Sequence, residues 1–566
     1  MNKLFSKHII KAFVVASLCL GANSCKVEVE PTDRYTDVTV WKNPGNIKLY
    51  IYGMYNEFKT FSFGRIPLGY NNATDALADL MKYTSTSEGN GSANRLAFDP
   101  SRVNSNSPNI NYWATGYERI RRVNEFMMGM DKYATIDDNL KKQYQAEARF
   151  IRAYCYFWLV KINGSVILLD KATTDGNNPR SSEDDCWNFI AADLAFAAEN
   201  LPVSWPASET GRATKGAAYG MLARTWLYAA SIADYDNKQF NTDALTGVPA
   251  TKKDAYYKNA ANAAAEVIKL ADAGNYELET NFADVFTKAN SKESVFSVNY
   301  VRPNVTHDFD NYFAPPRDLN QPIVAGVPTA ELVDEFEMKD GTKFSWSNPA
   351  MAANPYTNRD PRFYATVLYN GAAWKGRTMN TTPGDALEGY VESNSNADPR
   401  KTVTGYYIRK MLDPANTNIL VDKSVQPWHE MRYAEVLLIH AEAAAKSGDI
   451  NSAKESLNKV RTRAGLPGTT ASTLADMMTA VEHERKVELA FEGHRYWDLR
   501  RWRKAHIVLN NTRFHGHRIT QVGSSTVYEV VDIDKQNRSF PATFYYMPIP
   551  QAEITRNSAI TQIQGW

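Results

Sequence analysis

The feature that most constrains this chain is a recurring pattern of long amphipathic stretches, arranged two by two and separated by short polar turns. In "YERIRRVNEFMMGMDKY" (117–133), Ile120, Val123, Phe126 or Met127, and Met130 fall three and four residues apart, which lines one face of a helix. "DDNLKKQYQAEARFIRAYCYFWLVKIN" (137–163) predicts a second, longer helix that stops near Gly164. A second pair follows. "SSEDDCWNFIAADLAFAAENLP" opens on a capping-box-like Ser181-x-x-Asp184 and ends at Pro202. "RATKGAAYGMLARTWLYAAS" (212–231) carries Gly216, Ala217, Gly220, Ala223 and Ala230, small residues that let a neighbouring helix approach closely. Further helical stretches cover 46–58, 252–278 and 431–466, the last turning at Gly448-Asp449. A helix that is apolar on one side must bury that side on another element, so tandem pairs predict a mostly α scaffold built by stacking.

At 566 residues the chain exceeds one compact core. Its hydrophobic fraction of 43% is ordinary for a globular protein, and a formal net charge of +1 supplies no general attraction to nucleic acid. Between 299 and 428 the character changes. About half of the 25 prolines sit there with many Asn, Gly and aromatic residues, a composition of loops and short strands. "VFSVNYV" (295–301) and "GYYIRKM" (405–411) read as strands, and Trp428 as the start of a helix.

The N-terminus has lysines 3, 7 and 11, an apolar run from Ala12 to Leu20, then small residues up to Cys25. This is the layout of a secretory signal, too short to span a bilayer permanently. It resembles the bacterial lipoprotein signal, whose processing leaves a lipid-modified cysteine, here Cys25, as the first residue. "KVEVEPTDRYTD" then reads as a tether. Only Cys155 and Cys186 remain downstream; the two could pair in an oxidising compartment but make no disulfide framework, and Cys155 lies in an apolar run that suits a buried free thiol.

The stretch "VEHERKVELAFEGHRYWDLRRW" (481–502) is dense in acids, arginines, His483, His494, Trp497 and Trp502. The pairs Arg485–Glu488, Glu492–Arg495 and Asp498–Arg501 fall three apart and are expected to share helix faces. His483-Glu484 lacks the second histidine of a zinc-protease helix, and Gly493 is expected to bend the segment, so its role reads as architectural.

That stretch resembles the C-terminal signature of the RagB/SusD family of nutrient-uptake surface lipoproteins. "RYAEVLLIHAEAAAKSGD", "AKESLNKVRTRAGL", "AEARFIRAYCYFWLV", "GRATKGAAYGMLARTWLYAA", "YYMPIPQAEITRN" and "QIQGW" are similar to the same family, in the expected order along nearly the whole mature chain. The resemblance implies a SusD-like fold of four tetratricopeptide-like helix pairs with a loop-rich region carrying short strands. The expected organisation is 1–24 signal peptide, 25–45 lipidated terminus and tether, 46–298 N-terminal helical part, 299–428 loop-rich ligand-binding region and 429–566 C-terminal helical part. It implies a lipid-anchored protein on the cell outer membrane, without cofactor or catalysis, that captures a glycan and passes it to a TonB-dependent barrel. A peptide-binding helical-repeat lipoprotein is the alternative, with a glycosidase behind it.

The apolar C–H face of a pyranose stacks on Trp or Tyr, and its hydroxyls pair with amides and carboxylates. Two regions have that composition. One holds Tyr70, Asn71, Asn72, Asp75 and Trp113; the other holds Tyr312, Phe313, Trp346 and Trp374. "HDFDN" (307–311) sets two acids apart by one residue, a weak calcium pattern without the glycine and glutamate of an EF-hand loop.

Overall fold

The computed structural model describes residues 37–62, 74–84, 96–107, 110–173, 175–235, 243–319, 324–393 and 401–566. Cys25, Tyr70, Asn71 and Asn72 lie outside the described residues.

Helices dominate. α1 (Pro44–Tyr55) is followed by α2 (Trp113–Tyr133), α3 (Asp138–Asn163), α4 (Glu183–Asn200), α5 (Lys215–Tyr235) and α6 (Lys253–Asp272). Beyond the short α7 (Ala330–Val333) come α8 (Tyr433–Lys446), α9 (Ile450–Arg463), α10 (Leu474–Glu488) and α11 (Arg495–Arg501). From α2 to α6 each helix packs on the next, α6 packs on α8, and α8 packs on α9 and α10. The stack is therefore continuous in space although some 160 residues separate α6 from α8 in sequence. Among the described residues no helix is long and apolar enough to cross a membrane.

Local chemistry sets the helix ends. Asp137 caps α3 by accepting from the Asn139 and Leu140 amides. For α4 the cap is Ser182, not Ser181: its Oγ accepts from the Asp185 amide and lies 2.6 Å from the Asp185 carboxylate, so the box is shifted by one residue. The acids Glu183, Asp184 and Asp185 then sit in the first turn, where the helix dipole favours them. Asp449 caps α9 just after the Gly448 turn. Small residues make α5 the close-packed centre of the stack. A Cβ on Gly216 would lie 2.2 Å from the Tyr276 hydroxyl, and Ala217, Ala218, Ala223, Ala229 and Ala230 are fully buried.

The strands are short. β1 (Met81–Tyr83) pairs antiparallel with β3 (Gly326–Pro328), and β4 (Val367–Leu368) with β5 (Tyr407–Ile408). β2 (Ser294–Val298) pairs with β6 (Trp428–Arg432). Trp428 thus opens a strand rather than a helix, with α8 starting at Tyr433. The reason is the partner: β2 offers a free edge, and Val298 stands opposite Trp428. This pair also closes the neck of the loop-rich region between its two ends. β7 (His515–Val522) and β8 (Ser525–Asp532) form a longer hairpin.

The 481–502 stretch joins the two parts of the molecule. Arg362, from the loop-rich region, reaches Glu484 at 2.5 Å and Glu488 at 2.8 Å; all three are fully buried. Lys410 reaches Glu492 at 2.6 Å, and Arg432 of β6 holds Glu293, Glu488 and Glu492, each at 2.6 Å. The predicted pair Asp498–Arg501 forms at 2.8 Å. Glu492 and Arg495 do not pair, because the chain leaves the helix after Glu488 and Arg495 turns to Asp79 at 2.8 Å. Arg485 likewise pairs with Asp498 rather than with Glu488. Trp497 and Trp502 are buried to 2%. Cys155 and Cys186 are free buried thiols, and burial pushes them up to about 11 and about 12.

Candidate functional site

Asp334 directly follows α7, whose first turn is capped by Thr329 accepting from the Leu332 amide. The hairpin β7–β8 is clamped to the same turn: the Glu331 carboxylate accepts from the His515 amide at 3.0 Å and from its Nδ1 at 2.6 Å. Strand alternation then sends His517 and Ile519 inward, both nearly inaccessible, and sets Tyr528 opposite Ile519. Close backbone contact fixes the other side. The His517 amide donates to Thr404 O at 2.8 Å, and Gly405, at φ +83°, has no room for a Cβ, which would meet His517 O at 2.2 Å.

Trp346 lies on this base. Its Nε1 donates to Asp334 Oδ2 at 2.9 Å. Its ring centroid is 4.6 Å from that of His517, 5.5 Å from Tyr528 and 5.2 Å from Phe344, the last edge-on at 87°. Tyr356 meets Tyr528 edge-on at 5.7 Å, and its hydroxyl lies 3.1 Å from that of Tyr406, which reaches His517 Nδ1 at 2.8 Å. Trp346 and Tyr528 are half-buried. The result is an aromatic shelf whose orientation is fixed from behind by hydrogen bonds.

The electrostatics of the shelf are unusual. Burial pushes the Asp334 carboxyl up to about 6, against the Trp346 hydrogen bond and the Arg359 charge, which pull it down. Its Oδ1 is buried without a hydrogen-bond partner. Burial drives His517 down to about 3, so its imidazole is neutral. The Glu331 hydrogen bond raises His515.

The other sequence-predicted residues are placed differently. Trp113 opens α2 with 3% of its surface exposed and packs on Tyr117 at 5.0 Å. Trp374, also 3% exposed, donates to Asp318 at 2.7 Å inside a tight turn, with Lys375 and Arg409 over its ring. Neither indole offers a free face, because each has been spent on packing. Asp75 is fully buried and accepts from the Gly493 amide at 3.0 Å; burial raises its carboxyl well above the usual range. It ties the N-terminal part to the turn before α11. Phe313 is core. Tyr312 is half-buried and, among the described residues, makes no ring contact with Trp346 or Trp374. The acids of 307–311 serve the protein's own donors: Asp308 pairs with Lys423, and Asp310 accepts from the Asp413 amide, Gln426 and Asn416. Among the described residues no cluster of His, Cys, Asp or Glu could hold a metal ion.

Sequence reasoning named Trp346 but missed Asp334, Tyr528 and His517. The alternating "HGHRITQV" and "STVYEVVD", flanking Gly523-Ser524, carried the signal of the hairpin. It also missed two adjoining cavities of about 340 and 240 Å³ that share Arg212, Phe296 and Asn299. There the Arg212 guanidinium covers the Trp205 ring at 3.4 Å and is held by Glu147.

Comparison with known proteins agrees with this architecture. The SusD family model matches residues 292–566, and a second model, described as starch-binding associating with outer membrane, matches residues 62–227. A SusD-like protein from Bacteroides fragilis NCTC 9343 is 29% identical, with a TM-score of 0.77 over 94% of this chain and 99% of its own. A SusD-like carbohydrate binding protein from the same organism is 25% identical, with a TM-score of 0.76 over 92% of this chain and 100% of its own. A SusD-like protein of Bacteroides ovatus is 23% identical over 518 residues, 87% of this chain and 82% of that relative. The mostly helical stack, the short strands of its loop-rich part and these matches make the chain a member of the SusD family, outer-membrane-associated binding proteins rather than enzymes.

Proposed function

We propose that this protein captures a nutrient glycan at the cell surface and hands it to a TonB-dependent outer-membrane barrel. The carrying observation is the shelf: Trp346 is half-exposed, locked by Asp334 and flanked by Tyr528 at 5.5 Å. A pyranose C–H face needs such a surface, and a ring already held in place loses little entropy when the sugar lands. The carboxylate of Asp334 and the exposed Ser345 and Ser347 hydroxyls supply polar groups nearby. The carbohydrate-binding relative from Bacteroides fragilis and a laminarin-binding SusD-like protein of the same fold support this ligand class. Tyr312, with Tyr70, Asn71 and Asn72, remains a proposed accessory contact. Lipidation at Cys25 would anchor the protein to the outer membrane, with the tether leaving it free to sit over the barrel.

The test is isothermal titration of the protein lacking residues 1–25 against a panel of oligosaccharides and peptides. Saturable glycan binding that falls at least about tenfold in Trp346→Ala, some 1.4 kcal/mol, is the expected result. Binding unchanged in both Trp346→Ala and Tyr528→Ala would move the site to another surface, with the Trp205 groove next. Binding of peptides alone would replace the ligand class.

A further inference from the structure

A small pocket of about 20 Å³ lies where α3, α4, α5 and α11 converge, and shares no lining residue with the aromatic shelf. Lys161, Trp497 and Arg500 line it, with Tyr228, Glu183 and Arg503 around them. Arg500 is 3% exposed. Its Nη2 donates to Tyr545 O at 2.7 Å, which fixes the guanidinium plane. Its Nε and Nη1 are buried with no acceptor, and so is Trp497 Nε1. Three N–H groups lining one pocket are thus without a partner, in a protein interior where almost every such group has one.

Charge points the same way. Lys161 and Arg500 form no ion pair with a carboxylate among the described residues. The Lys161 ammonium lies over the Trp158 and Trp497 rings, at 3.3 and 4.4 Å from their centroids. The carboxylates around them are committed elsewhere: Glu430 and Glu435, whose charges act on Lys161, to Arg224, Glu442 to Arg501, Asp498 to Arg485 and Arg501, and Glu183 to the Trp187 indole and the Gly247 amide. Burial lowers both Lys161 and Arg500, and at Lys161 it outweighs the opposing charges of Glu430 and Glu435, which Arg224 already pairs.

We propose that this pocket binds a single halide ion, chloride in the cell, held by Arg500 Nε and Nη1 and Trp497 Nε1 with Lys161 as countercharge. The volume admits one small species and excludes phosphate or a carboxylate ligand. A water has two lone pairs to offer three donors and no charge to offset two cations; a halide accepts from all of them and neutralises one. Because the ion joins α3 to α11, its binding stabilises the junction of the N- and C-terminal helical parts.

The test uses the whole mature protein. Crystals soaked in sodium bromide are expected to show an anomalous peak within hydrogen-bonding distance of Arg500 and Trp497. In solution the melting temperature, at ionic strength held constant with gluconate, is expected to rise about 1 °C for each tenfold increase in bromide or chloride beyond the dissociation constant. Lys161→Met is expected to move the onset of that rise to higher halide concentration, and Arg500→Met to abolish the rise. Arg500→Met also loses bonds to the backbone, so the wild-type measurements decide. No bromide peak, together with equal melting temperatures in halide and gluconate, would overturn the proposal.

Discussion

Replacing Arg432 by Met tests the ion network that joins the loop-rich region to the helical stack. Arg432 is 1% exposed. Its Nη1 lies 2.6 Å from both Glu293 and Glu488, its Nε 2.6 Å from Glu492, and its Nη2 donates to Glu492 and to the Glu488 carbonyl at 2.7 and 2.9 Å. Removing one partner of a buried pair costs about 3–5 kcal/mol. Three carboxylates lose a cation here, but none is stranded: Glu293 and Glu488 keep Arg463, Glu488 also keeps Arg362, and Glu492 keeps Lys410. The expected loss is therefore about 3–5 kcal/mol in total rather than per carboxylate, roughly a fifth or more of an ordinary folding free energy.

Its pH dependence identifies the cause. In the native protein Arg432 and Lys410 hold Glu492 down at about 2, against burial, so this carboxylate contributes stability above the ordinary glutamate range that is lost as pH falls toward 2. Without Arg432 burial dominates and the group rises above its ordinary value. Its contribution then reverses sign and costs most at neutral pH. Urea unfolding followed by tryptophan fluorescence should show the penalty largest at pH 7 and shrinking toward pH 4. Arg432→Lys keeps the charge without the fork and should lose about 2–3 kcal/mol. A penalty below about 1 kcal/mol, or one equal at pH 7 and pH 4, would refute the reasoning.

Asp334→Asn should stabilise the protein above pH 6 and leave it unchanged near pH 4, as read from melting curves. A carboxyl raised to about 6 contributes stability at low pH that is lost as pH rises through that value, and the amide oxygen still accepts from Trp346. Gly405→Ala should cost more than about 2 kcal/mol in urea unfolding and lower glycan affinity, because its Cβ collides with His517 O behind the shelf. Cys25→Ala should block incorporation of labelled palmitate and release the protein from the outer-membrane fraction, with the soluble domain's melting temperature unchanged.

The helices were legible because their signals are local. Apolar spacing, the Asp137 and Asp449 caps and the Gly448 turn all act within a few residues. The shift from Ser181 to Ser182 was not, since two serines in succession each offer a hydroxyl three residues before an acid and only the chain path chooses. Trp428 was misread because strand β6 exists through its pairing with β2, some 130 residues earlier. The ion partners of Glu488 and Glu492 were hidden for the same reason. At the shelf, residue type marked Trp346, Trp113 and Trp374 alike. What separates them is burial: Trp113 and Trp374 are 3% exposed, whereas Trp346 is only half-buried. Asp334 carries no pattern of its own; its role comes from the hairpin that folds back over it.

The ties between distant parts of the chain set the order in which it can fold. Lys82 meets Asp534 at 2.8 Å across 452 residues, Asp75 accepts from Gly493 across 418, and Asn163 donates to Met547 across 384. When residue 500 is being added, the helices up to α10 have been made but not the groups that hold Lys82 and Asn163. Loop closure on this scale comes late. The contacts of Lys82 with Asp534 and of Asn163 with Met547 are therefore among the last to close, in a scaffold whose sequence-adjacent helices can pack earlier.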